Sequence, residues 1–450
     1  MSDILTLLDC FAPHLSAATI RQLSQIITAI ITMSGRVTML GMSRWTDKGG
    51  SYRSIQRFFY TVIPWSQLFW SFFRVYLFNP EDSYLLVGDE SVVTKAGQQT
   101  HGLDRFFSSL YGKPVPGLAF FALSLVSTQQ RQSYPLMVEQ RVRSDVEKAA
   151  AKAKSKQKKA RKKSGKRKVG RPKGSKNKQK KLIELSPELV FIQAMIQQVL
   201  DLIRGFLPLS YLVLDGHFGH NNALHMASQC GLQLISKLRH DAALYFPYEG
   251  TYSGRGRPRK YGKKVDYANL PEQYLKQVSF EDDIQTYIFQ ATLLHKHFEQ
   301  ALNVVIIVKI NLKTGKRSHA VLFSSDLDLA YDLLIDYYGL RFQIEFNFRD
   351  AKQYWGLEDF MNVTETAVRN AANLSLFMVN VAAFLLHDLR QQSALAGVLD
   401  LKAHFRGCKY VTETLKLLPQ KPEPILIQHI FQAVAQLGSI HVTLSPVNSP

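Results

Sequence analysis

The sequence has little cysteine and no long uninterrupted apolar run. Its three cysteines are too few and too far apart for a disulfide framework or a cysteine-based zinc site, as expected of a protein in a reducing cytoplasm. The longest apolar run, residues 374–386, contains polar residues and is shorter than the roughly 20 residues that cross a bilayer, so we expect a buried helix there. The first residues show no signal-peptide pattern. We therefore expect no membrane partner.

Acidic residues are absent from residues 148–181, which contain 18 lysines and arginines. Because the whole chain has a formal net charge of +20, the remainder carries only +2. A segment with one sign of charge is normally solvated and disordered, and a polyanion is the partner that can order it. The sequence therefore predicts a basic, disordered insertion at residues 146–182.

Patterns of apolar residues divide the rest of the chain. Residues 1–80 show helical periodicity and predict an N-terminal helical domain. Short apolar runs bounded by turn residues, followed by alternating strands and helices, predict an α/β core. This core is discontinuous and comprises residues 81–145, 183–240 and 320–390. Residues 241–319 predict a β insertion, and residues 391–450 form a C-terminal region that could provide a dimer interface.

Three acidic residues occupy positions from which they could share one cleft. Asp89 follows "YLLVG" and Asp215 follows "YLVL", so we expect each at the end of a buried strand, whereas Glu345 lies in a helical pattern. Such a set could hold two divalent cations about 3.5 to 4 Å apart, as in phosphoryl transfer. Packed carboxylates repel each other without cations, and Mg²⁺ prefers oxygen ligands. The predicted cofactor is Mg²⁺, with Mn²⁺ as its substitute.

Each acidic residue also has an ordinary structural interpretation. An aspartate at a strand end commonly forms a turn or caps a helix, and Glu345 could be a surface residue of an amphipathic helix. Glu90 is a rival for Asp89, because successive strand residues face opposite sides and only one of the two should reach the cleft. Strand geometry alone does not choose between them.

The stretch "YGLRFQIEFNFRDAKQYW", residues 338–355, sets Glu345 among basic residues. On a single helix, Tyr338, Arg341, Glu345 and Lys352 would lie within about 60° of arc, since each residue turns the helix by about 100°. A core-facing stripe would be aliphatic instead. A solvated stripe could pair Glu345 with Arg341 and Arg349, for roughly 0.3 kcal/mol per pair.

The spacing Y-x2-R-x3-E-x6-K, with "GDES" around Asp89 and "LDGHF" around Asp215, resembles the DDE transposases of bacterial insertion sequences, in the insertion-sequence-four branch with the Tyr-Arg-Glu-Lys signature. The resemblance covers about residues 84–383. It implies a ribonuclease H-like catalytic core with a β-rich insertion, and a DNA transposase that cleaves transposon ends with metal ions and transfers the strands into target DNA. It also implies double-stranded DNA as partner and a homodimer on DNA, in the bacterial cytoplasm with the nucleoid.

The resemblance further implies a role for each motif residue. The implied catalytic residues and metal ligands are Asp89, Asp215 and Glu345. The implied DNA-binding residues of the helical stretch are Tyr338, Arg341 and Lys352. Arg349, beside them in the sequence, is a further candidate DNA contact. In this interpretation the glutamate holds metal, and its basic neighbours hold the DNA phosphate beside it.

Two Gly-Arg-Pro cores, in "VGRPKGSKNK" and "SGRGRPRKYG", resemble AT-hooks, whose arginines enter the narrow minor groove of A·T-rich DNA. The candidate DNA contacts are Arg171, Lys173, Arg255, Arg257 and Arg259. The first core could also arise by chance in a lysine-rich linker, and the second could be a polar hairpin tip. Phosphate attraction by the basic insertion needs neither hook.

Two other functions share parts of this pattern. A metal-dependent DNA nuclease would use the same three acids but would not join DNA ends. A catalytically inactive protein derived from a transposase would bind DNA without cutting it, although none of the three acids is replaced. His217 and His220 lack a third ligand at a spacing that suits a metal, so we expect them to cap a helix or contact DNA.

Overall fold

The computed structural model describes residues 3–441 apart from residues 47–49, 109–110, 150–152, 154–182, 253, 255–257, 421 and 436. Most of the predicted basic insertion therefore lies outside the described residues. The same holds for four candidate DNA contacts, Arg171, Lys173, Arg255 and Arg257.

The described N-terminal residues form mainly helices, in line with their periodicity. The helices are α1 (Ile4–Leu7), α2 (Ala17–Thr32), α3 (Met39–Ser43), α4 (Tyr52–Tyr60) and α5 (Trp65–Phe72). The hydroxyl groups of Ser16, Thr38 and Ser51 accept hydrogen bonds from backbone N–H groups in the first turns of α2, α3 and α4. These N-caps determine where each helix begins.

The strands form one large mixed sheet. In chain order they are β1 (Tyr84–Thr94), β2 (Asp104–Ser108), β3 (Lys113–Ser127), β4 (Ser133–Arg141), β5 (Tyr211–Leu214), β6 (Gln233–Leu238), β7 (Leu244–Pro247), β8 (Tyr261–Lys264), β9 (Leu275–Glu281), β10 (Ile284–His295), β11 (Leu302–Asn311) and β12 (Arg317–Ser324). The order across the sheet is β2-β3-β1-β5-β6-β12-β11-β10-β7-β8, with β4 paired to β3 and β9 to β10. β5 runs parallel to β1 and to β6. The predicted α/β class is confirmed.

The other described helices are α6 (Pro187–Ile203), α7 (Asn221–Gln229), α8 (Tyr331–Leu340), α9 (Gln343–Gln353), α10 (Glu365–Gln392), α11 (Val398–Leu417) and α12 (Pro424–Ala435). α6 illustrates how local sequence specifies a helix. Ser186 caps it, Pro187 takes its first position, and its periodic apolar residues from Leu189 to Ile203 are buried.

The core is built around α10. By length and composition this helix could cross a membrane, but 72% of its most apolar window is buried inside the structure, as in a core helix. The rings of Phe11, Phe69 and Phe72 lie 5.3 to 5.7 Å from the ring of Phe377 on α10. The predicted buried helix over residues 374–386 is confirmed, and no membrane protein is indicated.

The sequence predicted that Asp89 would stand at the end of its strand. This prediction is wrong, because β1 continues to Thr94. The apolar run stops at Gly88, but the antiparallel neighbour β3 pairs with β1 along its whole length. These backbone hydrogen bonds extend the strand beyond the apolar residues. The parallel neighbour β5, in contrast, pairs with β1 only as far as Gly88.

Residues 338–355 do not form one continuous helix, contrary to the prediction. α8 ends at Leu340 and α9 begins at Gln343. At the junction, backbone hydrogen bonds run from residue i to residue i−3 instead of i−4. Such tighter turns interrupt an α-helix. Tyr338 therefore belongs to a different helix from Glu345 and Lys352.

Candidate active site

The two aspartates are neighbours because of the register between two parallel strands. The last pair between β1 and β5 is Gly88 with Leu214, and the next residues are Asp89 and Asp215. Neighbouring strands lie about 4.8 Å apart. A Cβ atom at Gly88 would lie 2.8 Å from the ring of Phe121 and 2.9 Å from the side chain of Leu214. Glycine before the first aspartate thus permits this close packing.

Glu345 reaches the same region from the first turn of α9. The inner face of α9 is buried and includes Ile344 and Phe348. Asn347 adds polar contacts, because its Nδ2 donates to serine hydroxyl groups on β3 and β4 at 3.3 and 2.7 Å. Buried side-chain amides that are fully bonded hold a helix in one orientation. The helix therefore presents Glu345 to the edge of the sheet where the aspartates lie.

All three acids line one cavity of about 790 Å³, which we call the acid cavity. Basic side chains from several elements line it too, namely Arg141, Arg143, His217, Arg349 and Lys352. The acid cavity therefore combines carboxylates, which can hold cations, with basic groups, which attract phosphate.

Asp89 is the acid whose ionisation is most affected. Burial raises the pKa of Asp89 from 3.8 to about 6; Arg341 and the backbone N–H of Glu90 oppose this rise, and the charges of Asp215 and Glu345 add to it. The positive charge around Asp89 is thus too small to hold the pKa of its carboxyl group at the ordinary value. A further cation at this place would stabilise the ionised form.

Arg341 stands between Asp89 and Glu345. Its Nη1 lies 3.7 Å from Oδ2 of Asp89, and its Nη2 donates to Oε1 of Glu345 at 2.9 Å. The guanidinium lies 5.9 Å from the ring centre of Tyr338, so the helix junction still brings these motif residues together. The Arg341 side chain is only 14% exposed, and its Nε has no hydrogen-bond partner in the part of the chain that the structure describes.

The donor set fits a divalent cation by its chemistry. Carboxylate oxygens are ligands that Mg²⁺ and Mn²⁺ prefer, and the raised pKa of Asp89 reflects burial beside other acids with too little positive charge. Among the described residues, however, no three His, Cys, Asp or Glu side chains stand close enough to hold an ion as they are placed. Arg341 helps to keep the acids apart, because its guanidinium lies between Asp89 and Glu345.

The remaining predicted DNA-binding residues have different surroundings. Arg349 and Lys352 line the acid cavity, where Nζ of Lys352 donates to the carbonyl oxygen of Val92 at 3.1 Å. Arg259 is not among the residues that line it. Its guanidinium lies 5.0 Å from the ring centre of Tyr248, on an exposed stretch next to β8.

Two of the candidate residues, Asp215 and His220, also have the ordinary structural role of a cap. Oδ1 of Asp215 accepts from the backbone N–H of His217 at 3.1 Å, so Asp215 also caps the short turn that follows it. The ring of His220 accepts from the backbone N–H of Ala223 at the start of α7. The predicted capping role of His220 is confirmed.

A second charged cluster in the acid cavity was missed by the sequence analysis. Arg141 lies 3.5 Å from Glu90 and also pairs with Glu188 at the start of α6. Oε2 of Glu188 lies 3.7 Å from Nε2 of His217, and the carboxylate raises the pKa of His217. The available signal was the charged run "VEQRVR" that follows the apolar residues of β4.

Glu90 and Asp89 both line the acid cavity, so the expectation that only one of them reaches the cleft is wrong. The two residues differ instead in the groups that they contact. Glu90 pairs with Arg141, whereas Asp89 is influenced by Arg341 and the charges of the other two acids. Side chains on successive strand residues leave in opposite directions, but the cavity is wide enough to include both.

Asp89→Asn is expected to raise the free energy of unfolding of the metal-free protein by about 3 kcal/mol near neutral pH. The folded-state pKa of Asp89, about 6, lies above its ordinary value of 3.8. Stability from this group is therefore complete below pH 3.8 and is lost as the pH rises through 6. Asparagine stays neutral and avoids this loss.

Urea titrations in EDTA, one near neutral pH and one at or below pH 3.8, would measure this effect. The gain should be present near neutral pH and small in acid. Asp201→Asn, at an exposed position of α6, is the control and should change stability by less than about 0.5 kcal/mol at both pH values. An equal effect of Asp89→Asn at the two pH values would contradict the prediction.

Comparison with known families gives a match over more than half of the chain. The family described as DDE superfamily endonuclease matches residues 10–299. This range contains Asp89 and Asp215 and ends before Glu345. A comparison with curated proteins gives no significant match.

Proposed function

Because the chain belongs to the DDE superfamily of endonucleases and is thus a nuclease-type enzyme that acts on DNA, we propose that it is the transposase of a bacterial insertion sequence. It cuts DNA at the transposon ends and transfers the freed strands into target DNA. The Tyr-Arg-Glu-Lys spacing supports the insertion-sequence-four branch. The enzyme works in the bacterial cytoplasm, on the DNA of the nucleoid.

The convergence of three acids on one cavity carries this proposal. Asp89 and Asp215 become neighbours through the register of β1 and β5, and Glu345 joins them from α9. Residues that serve only as turn formers, caps or surface charges have no reason to meet from three distant parts of the chain. Their meeting beside basic motif residues favours phosphoryl transfer on DNA.

The strand order supports a ribonuclease H-like core. β4, β3 and β1 are successive antiparallel neighbours, and β5 and β6 continue the sheet parallel to β1. The first acid then lies on the central strand β1, and the second follows its parallel neighbour. We propose residues 241–319 as the β insertion of this core and residues 1–80 as an N-terminal DNA-binding domain.

Enzymes of this superfamily generally use divalent metal ions, and Asp89, Asp215 and Glu345 would hold them in this chain. When bound, the ions would supply the charge that makes a water molecule nucleophilic and stabilises the leaving oxygen of the phosphodiester. Mg²⁺ is the proposed ion, with Mn²⁺ as a substitute, because all three donors are carboxylates.

The basic motif residues bind and orient the DNA. Arg349 and Lys352 attract the phosphate that is to be cut and hold it beside Glu345. Arg341 pairs with carboxylates in the metal-free protein. With those carboxylates holding metal ions, the Arg341 guanidinium would be free to contact phosphate oxygens through two parallel hydrogen bonds. Tyr338, next to Arg341, contacts the terminal nucleotide.

Contacts outside the acid cavity would add affinity for DNA. The basic insertion attracts phosphates along the duplex. The two Gly-Arg-Pro cores would enter A·T-rich minor grooves through Arg171, Lys173, Arg255, Arg257 and Arg259.

Two transposon ends have to be cut and joined together, so we propose a homodimer on DNA. Residues 391–450 are the candidate interface. Large apolar side chains are exposed there, on and next to α11 and α12: Tyr410, Leu417, Ile425, Leu426 and Leu437. Exposed apolar patches of this kind commonly mark protein interfaces.

A joining assay separates the three candidate functions. The substrates are duplexes taken from the DNA that flanks the gene, some of them precut to expose a 3′-hydroxyl, together with a target plasmid and Mg²⁺. A transposase cuts the intact duplexes and joins the precut ends to the plasmid, and EDTA stops both reactions. Cutting without joining would favour the plain nuclease, and binding without cutting would favour the inactive DNA-binding protein.

A further inference from the structure

The helix α4 has one buried face and one solvent-facing face of unusual composition. Its buried residues are Ser54, Ile55, Phe58 and Phe59. Its outer residues are Tyr52, Arg53, Gln56, Arg57 and Tyr60. At about 100° per residue, the five outer residues span about 140° of arc. The outer face thus consists of long side chains with hydrogen-bond donors.

This outer face of α4 is basic. α4 contains no acid, and neither Arg53 nor Arg57 forms an ion pair within the ranges that the structure describes. Residues 10–80 contain seven lysines and arginines and a single acid, Asp47. A solvated surface helix normally mixes both signs of charge. One-signed charge on a helix face is instead the electrostatic pattern of a nucleic-acid contact.

We propose that α4 is a recognition helix that enters the major groove of double-stranded DNA and reads base pairs near the cutting site. A helix about 10 to 12 Å wide fits a groove about 12 Å wide. Arginine can donate two hydrogen bonds to guanine, and Gln56 can bond to adenine in the same bidentate way. Tyr52 and Tyr60, at the two ends of α4, are placed to contact phosphates.

The length of the outer face sets the size of the site that α4 reads. Residues 52 to 60 span about 12 Å along the helix axis, at 1.5 Å per residue. At 3.4 Å per base pair, this length covers about three to four base pairs. We therefore expect a short conserved core in the bound DNA, rich in guanine where Arg53 and Arg57 make contact.

Hydrogen bonds attach α4 and the segment before α3 to the core that carries the acid cavity. Nδ2 of Asn370 on α10 donates to the carbonyl oxygen of Phe59 at 2.8 Å. Asp359, which follows α9, accepts from the backbone N–H of Val37 at 2.9 Å, just before α3. A base sequence read by α4 would then lie at a constant distance from the phosphate in the acid cavity. This inference rests on the proposed function, because cutting at defined transposon ends requires such a reader.

The test is a binding selection from a library of short duplexes with a randomised core, carried out in EDTA. Because EDTA prevents cutting, the selection reports recognition alone. The wild-type protein should enrich a short motif. Affinities for this motif and for a scrambled duplex are then measured for each variant, and their ratio is the readout.

Two variants probe α4, and a third controls for lost charge. Arg53→Ala/Gln56→Ala/Arg57→Ala should lower the ratio by about tenfold or more for each arginine removed. Arg53→Lys/Arg57→Lys keeps the charge but replaces the rigid, planar guanidinium fork with a flexible ammonium group, so it should lower the ratio while binding to scrambled DNA stays unchanged. Gln197→Ala/Arg204→Ala/Arg239→Ala removes the same side-chain types from exposed positions elsewhere and should leave the ratio unchanged.

Three results would overturn the proposal. The first is the absence of any enriched motif with the wild-type protein. The second is an unchanged ratio in both α4 variants. The third is a changed oligomeric state with unchanged DNA binding, which would assign this face to a protein partner. None of these results affects the cutting and joining assay, so failure of the recognition helix is distinguishable from failure of the proposed function.

Discussion

Asp89→Asn, Asp215→Asn and Glu345→Gln should each slow cutting at the transposon end on the order of 1,000-fold or more. Each change removes the charge of one carboxylate without changing its size, so the acid cavity keeps its shape. A neutral amide holds a divalent cation far less well than a carboxylate does. Cutting of a labelled end duplex in Mg²⁺ measures the rate, and anisotropy in EDTA measures binding, which should be retained.

Glu90→Gln is the matched control for this series. Glu90 is the neighbour of Asp89, lines the same acid cavity and loses the same charge, but it pairs with Arg141. We expect its cutting rate to fall by no more than about 10- to 100-fold, the range typical of residues that support metal ligands without binding the metal. If Glu90→Gln abolished cutting and Asp89→Asn did not, the first acid would be misassigned.

The stability of Asp89→Asn strengthens this test. The same variant should be more stable than the wild type near neutral pH in EDTA, because the raised pKa of Asp89 makes its ionised form unfavourable in the folded protein. A variant that is more stable and still inactive cannot owe its inactivity to unfolding. Added Mg²⁺ should stabilise the wild type more than the variant.

Replacing residues 152–180 with a short Gly-Ser linker should weaken DNA binding and make it much less sensitive to salt. The deleted segment contains 16 lysines and arginines. Each phosphate contact contributes about 0.9 to the slope of log affinity against log salt concentration. If one third of these residues contact phosphate, the slope should flatten by about 4 to 5. Titrations at several salt concentrations against a random duplex measure it.

A second variant tests the hook separately from the charge. Arg171→Lys/Pro172→Ala keeps the net charge of the basic insertion but changes the Gly-Arg-Pro core. If this core works as a hook, the variant should lose the preference for A·T-rich over G·C-rich competitor while the salt slope stays as in the wild type. An unchanged slope after the whole deletion would show that the basic insertion is not a DNA-binding arm.

Local patterns in the sequence were enough to identify many of the elements. The Ser186 cap, the proline after it and the 3-4 spacing of apolar residues specify α6. The apolar runs before Asp89 and Asp215 specify β1 and β5. These signals act between residues that are near each other in the chain, so they can be read without knowing the fold. The residue types of the candidate site, three acids among basic residues, were also evident.

Only the tertiary structure decided how these residues meet. The pairing of β1 with β5 makes Asp89 and Asp215 neighbours, although they are 126 residues apart in the sequence. No local pattern specifies a strand register over so many residues. The same holds for Arg141, Glu90, Glu188 and His217, which come from separate elements to form one cluster. The length of β1 and the break between α8 and α9 were also set by packing. Backbone hydrogen bonds to a neighbouring strand, and the tight turn at the helix junction, outweighed the periodicity that predicted a shorter strand and a single helix.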